Sequence, residues 1–116
     1  MYYSHHEIAN NQTEEGIKIR VTRQEESMQM TELELRKGAV LPEHMHRSEH
    51  SGYILQGKIR MYIDGVLKEL VQGDSWCIGK NICHHTVALE DSVVIEVFEI
   101  EQEKIAGEKF VLESTL

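Results

Sequence analysis

Four histidines, His44, His46, His50 and His84, stand where one small domain can aim them at a single metal ion. Three of them fall within Pro42-Glu43-His44-Met45-His46-Arg47-Ser48-Glu49-His50, and the fourth follows the turn-rich Gly79-Lys80-Asn81. Alternate residues of a β-strand point to the same face, so a regular strand here presents His44 and His46 side by side and keeps His50 in step. Neutral imidazole is the commonest side-chain metal ligand, and a set of four suits a mid-to-late first-row divalent ion. One divalent transition metal is therefore expected on these residues; manganese, iron, cobalt, nickel, copper and zinc are all compatible. The alternative, imidazoles packed together without a metal, leaves buried polar groups without partners. His85 has the opposite parity to His84 and is expected to point away. His5 and His6 read as a solvated terminal pair.

Glu96 is the second residue with chemical potential. Val94, Glu96, Phe98 and Ile100 share one face of a strand, and Val93, Ile95 and Val97 share the other. A carboxylate so flanked is either a solvated charge at a sheet edge or a buried acid. In general, burial favours the neutral form of a carboxylic acid, the form suited to giving up a proton, and a nearby metal cation favours the charged form. The pattern by itself leaves both readings open.

The elements that must position these groups read as strands. Ile17, Ile19 and Val21 alternate with Lys18, Arg20 and Thr22. Ser27 to Arg36 forms the next strand, and its apolar pattern changes phase between Met30 and Leu33, which predicts a bulge or burial on both faces. Ile59, Met61 and Ile63 alternate with polar neighbours, and Asp64-Gly65 closes a tight hairpin into Val66 to Val71. Gly73-Asp74 turns the chain into Ser75 to Ile78, where Trp76 is read as a core anchor. Thr86 to Leu89 and Ser92 to Ile100 follow, separated by Glu90-Asp91. Short strands, regular turn signals and almost no helical periodicity point to an all-β sandwich or barrel. Residues 1–26 form a leader carrying an edge strand, 27–100 the core and 101–116 a charged tail.

At 116 residues the chain has room for one domain with a genuine core. Twelve Lys and Arg against 20 Asp and Glu give a formal charge of -8, with no basic stripe. Such a surface repels phosphate backbones and anionic membranes, which argues against nucleic acid and membrane partners. No stretch has the length of a signal peptide or a bilayer span, so a cytoplasmic location is the default expectation. Cys77 and Cys83 lack the close spacing of a redox or zinc motif and are expected to be reduced, mostly buried thiols.

These residues resemble the two motifs of the cupin superfamily. Gly38, His44, His46 and Gly57 occupy positions of the first motif, with His50 in the slot usually held by Glu. Gly73, Asp74 and His84 occupy the second, with Gly79 in its Pro slot and Asn81 in its second Gly slot. The resemblance spans residues 27 to 100 and implies a single-domain jelly-roll barrel with a metal inside one mouth. Four histidines on a six-coordinate ion leave positions for water or a chelating substrate, as a catalytic or ligand-binding metal requires.

Within the superfamily the layout is most similar to the small cupins of pectin and alginate degradation that linearise 4,5-unsaturated monouronates. The run Tyr53-Ile54-Leu55-Gln56-Gly57 and the stretch from Ala88 to Phe98 carry that likeness. It implies a catalytic carboxylate at Glu96, where those cupins hold Asp. It also implies substrate contacts at Phe98 and at Gln102, where they hold Arg. The implied function is a metal-dependent enzyme that opens or isomerises a sugar acid, with a small-molecule substrate as partner. The competing readings are a non-catalytic module binding a small carboxylate or sugar, and a metal-dependent dioxygenase. Small cupins resemble one another in pairing barrels, so a homodimer is expected, with Ile17–Val21 as a plausible exchanged edge.

Overall fold

The computed structural model describes residues 11–99. These form ten strands: β1 Asn11–Glu14, β2 Ile17–Gln24, β3 Met28–Leu35, β4 Val40–His44, β5 His50–Gln56, β6 Lys58–Ile63, β7 Val66–Val71, β8 Ser75–Ile78, β9 His84–Ala88 and β10 Ser92–Glu99. There is no helix among the described residues. One sheet runs β1-β2-β3-β10-β5-β8, the other β4-β9-β6-β7, and every strand pair is antiparallel. The arrangement is a double-sheet jelly roll with its apolar core enclosed between the sheets.

The core follows from alternation. Ile17 and Ile19 on β2, Leu33 and Leu35 on β3, Ile54 on β5, Ile59 and Met61 on β6 and Val94 on β10 all turn inward in one cluster. At the β6–β7 turn, Asp64 (φ 50°) and Gly65 (φ 81°) both take the left-handed conformation that a two-residue hairpin of this hand requires. Trp76 packs inward beside Gly52, its register partner on β5. A Cβ on Gly52 would lie 2.0 Å from Cζ2 of Trp76, so the indole fills the space a side chain there would need.

In β3 the phase change has a different cause from the one expected. The strand alternates strictly, with Gln29, Thr31, Leu33 and Leu35 buried and Met28 and Met30 exposed. Its inward face simply changes from apolar to polar along its length. The bulge lies in the partner strand, where the β2–β3 register slips between Val21 and Arg23. Cys77 also departs from expectation. It is exposed, because the same alternation that buries Trp76 and Ile78 on β8 turns the residue between them outward.

Strand register stacks the inward residues of the larger sheet in rows. Ile19, Leu33, Val94 and Ile54 form an apolar row. The next holds Val21, Thr31, Glu96, Gly52 and Trp76. The row nearest one end holds Gln29, Phe98, His50 and Ile78. The interior thus grades from apolar to polar toward the histidines.

Candidate metal centre

Each histidine arrives from a different piece of backbone. His44 is the last residue of β4, His46 lies in the loop that follows, His50 opens β5 and His84 opens β9. The regular strand expected to carry His44, His46 and His50 in step is therefore replaced by a strand end, a loop and a strand start. Pro42 has no N–H to offer the ladder, and the β4–β9 register slips between Leu41 and His44. The loop is then pinned from the opposite side, where the Asn81 N–H donates to the His46 carbonyl at 2.7 Å. Asn81 sits at φ 59°, a conformation Asn tolerates better than most residues, which accounts for its standing in a glycine slot.

The side chains converge. His44 and His84 are direct register partners with ring centroids 4.2 Å apart, and one ligand nitrogen from each of His44, His46 and His84 lies within 4.8 Å of the others. The His50 ring is centred 4.7 Å from that of His46 and 5.1 Å from that of His84. His85 points outward and stacks on Tyr62 at 4.9 Å.

Hydrogen bonding sets which nitrogen faces the centre. His44 Nδ1 is 2.7 Å from the Pro42 carbonyl and His84 Nδ1 is 2.9 Å from that of Ile82. A carbonyl can only accept, so both Nδ1 atoms carry the proton and both Nε2 atoms keep a free lone pair. Backbone carbonyls orient metal-binding imidazoles in this way. His50 is 3% exposed, and neither of its ring nitrogens has a hydrogen-bond partner among the described residues.

The rings of His44, His46 and His84 are also held toward the neutral form. Burial pushes the pKa of His46 down to about 3, with the neighbouring His50, His44 and His84 lowering it further. Burial likewise lowers His44 and His84, against the opposing pull of their carbonyl partners. Metal ligation requires the neutral form. With lone pairs free on Nε2 of His44 and His84 and protonation disfavoured, His44, His46 and His84 form a donor set that a divalent transition metal fits, and the unpartnered nitrogens of His50 lie beside it.

Glu96 stands beside this cluster. β10 lies between β3 and β5, which makes the residue a buried acid (8% exposed) and not a solvated edge. Its Oε2 is 3.3 Å from His50 Nε2, close enough for charge interaction although the angle is not that of a hydrogen bond. Phe98 is buried, its ring centred 6.4 Å from both His46 and His50. Gln102 lies outside the described residues. Gln29 and Thr31 were not anticipated; both are buried on the inward face, Gln29 Nε2 donating to Thr31 Oγ1 at 3.0 Å. Their signal in the sequence was the phase break in β3, where polar residues occupy inward positions. A separate cleft of about 1000 Å³, lined by Gly16, Leu35, Lys37, Asp91 and Ser92 among others, lies at the opposite end of the same strands.

The cupin domain family model matches residues 31–101. Among curated proteins, the chain is 30% identical over 86 residues to the pectin degradation protein KdgF of Dickeya dadantii (strain 3937), covering 72% of this chain and 78% of that one. Among solved structures it is similar to KdgF from a Halomonas species, with a TM-score of 0.80, 28% identity and coverage of 87% and 94% of the two chains. An RmlC-like cupin from Shewanella frigidimarina shares the fold with a TM-score of 0.81 at 22% identity, over 88% and 92% of the chains.

Proposed function

Because this chain belongs to the cupin family, we propose that it is a metal-dependent enzyme of small-molecule metabolism that opens the ring of an unsaturated uronate or a related sugar acid. The observation that carries this reading is Glu96, a buried carboxylate 3.3 Å from His50 on the inward face of a central strand. Similarity to a pectin degradation protein supports the substrate class.

His44, His46, His50 and His84 would hold the ion. When bound, a divalent metal supplies a Lewis acid that polarises an oxygen of the substrate. The protein's own groups do the rest. Glu96 acts as general base and then general acid, its reach fixed by the β10 backbone between two neighbouring strands. Ring opening of a 4,5-unsaturated sugar acid is an isomerisation: the anomeric hydroxyl loses a proton and becomes a carbonyl as the bond from that carbon to the ring oxygen breaks, and the enolate so released becomes a ketone when the far carbon of its double bond gains a proton. One carboxylate that accepts a proton and returns it balances this step without any redox partner. Phe98 supplies an apolar wall beside His46 and His50, which excludes water from the reacting bond.

The test uses untagged protein loaded with each candidate metal and supplied with a 4,5-unsaturated galacturonate. Turnover is expected, and Glu96→Gln should lower it by roughly two to four orders of magnitude, the range for losing a general acid or base. Metal content and melting temperature should hold in that variant. Unchanged turnover would remove Glu96 from the mechanism. Binding without turnover in the wild type would favour a non-catalytic module, and oxygen consumption would favour a dioxygenase.

A further inference from the structure

We infer that Gln29 determines specificity by reading a neutral oxygen substituent, a hydroxyl or carbonyl, of the molecule bound beside the histidines. The inference rests on the reading of the histidine cluster as a substrate-binding metal site. Gln29 is 1% exposed, as deeply buried as the apolar core. Its Nε2 donates to Thr31 Oγ1 at 3.0 Å, and its Oε1 has no hydrogen-bond partner among the described residues. A buried acceptor left unsatisfied is destabilising, a penalty that an apolar side chain in the same space avoids.

Position gives that cost a purpose. Gln29 faces Phe98 across the ladder, and Phe98 faces His50 on its other side, so the three share the row at the histidine end. Thr31, which holds the amide, is the register partner of Glu96. The amide is thus fixed on the wall that a molecule in contact with both Glu96 and the histidines would meet.

The chemistry of the occupant follows from the wall. Among the described residues of these two rows, Glu96 is the only acid and there is no Lys or Arg. A second anionic group would meet repulsion from Glu96 and find no cation on this side. A neutral amide instead suits a hydroxyl or carbonyl. Because the Thr31 hydroxyl can donate as well as accept, the amide can turn over and offer either its oxygen or its NH₂ without losing that bond. A polyhydroxylated acid meets the wall best, its carboxylate elsewhere and a hydroxyl on Gln29.

Gln29→Met tests this, since methionine keeps the length and removes the hydrogen bonding. Wild type and variant, both untagged and metal-loaded, would be compared by metal content, thermal melting, calorimetric titration with D-galacturonate and turnover of the 4,5-unsaturated form. Metal content should be unchanged and the melting temperature should hold or rise, because an unsatisfied buried amide is replaced by an apolar group. Binding of D-galacturonate should weaken about tenfold, the scale of one hydrogen bond, with KM raised and kcat held. Equal binding in the two proteins, or a melting temperature several degrees lower in the variant, would overturn the assignment. A wild type that binds D-galacturonate but does not turn over the unsaturated form would sink the proposed ring opening alone, and the binding comparison would still decide Gln29. A wild type that does neither overturns both.

Discussion

Acidification of the metal-free protein should reveal the cost of gathering these histidines. His46 has its folded-state pKa pushed down to about 3, from an ordinary value of 6.5. Between those values the unfolded chain binds a proton that the folded chain refuses. Stability is therefore complete above about pH 6.5 and is lost as the pH falls toward 3, at about 1.4 kcal/mol per pH unit for one such group. From pH 6.5 to 4.5 His46 alone should cost about 2 kcal/mol, because the unfolded ring is only half protonated at the upper limit, and that is a large share of the ~5–15 kcal/mol that holds a domain together. His44 and His84 are lowered in the same direction and add to the slope. The assay is urea unfolding of chelator-treated protein at half-unit steps of pH, beside His46→Gln, which cannot titrate there. Carboxylate titration is common to both proteins, so the difference in slope isolates His46. Parallel slopes between pH 6.5 and 4.5 would refute the argument, because the ring would then protonate in place without resistance.

Gly52→Ala should destabilise by about 1–3 kcal/mol, as overpacking does, and shift the fluorescence of Trp76, since the added methyl lands on the indole; an unchanged urea midpoint would contradict the packing. His50→Ala should lower metal content at saturation or weaken metal affinity by at least tenfold, read by competition with a chelating dye, and unaltered affinity would reduce the ligand set to His44, His46 and His84. A homodimer is expected, because Met30, Tyr53 and Leu55 remain exposed on the outer face of the larger sheet; sedimentation of a monomer at micromolar concentration would overturn it.

Strand identity was legible because it is local. Alternation in Ile17–Val21 and Ile59–Ile63, and a left-handed pair at Asp64-Gly65, depend on neighbours in the chain, and the structure contains β2 and the β6–β7 hairpin accordingly. The all-β class and Trp76 as a core residue follow from the same patterning. What patterning could not decide was burial of polar groups, since that depends on which distant strands lie alongside. Glu96 is an inward acid only because β3 and β5 flank β10, and no feature between Ser92 and Glu99 specifies those neighbours. Gln29 and Thr31 looked like a break in pattern until strand register placed them beside Phe98 and Glu96. His46 reaches its cluster from a loop, held by a hydrogen bond to Asn81 that local parity does not foresee. Residue types along the chain determined what chemistry is available; long-range strand pairing decided which of those groups leave water together, and desolvation gives them their chemical character.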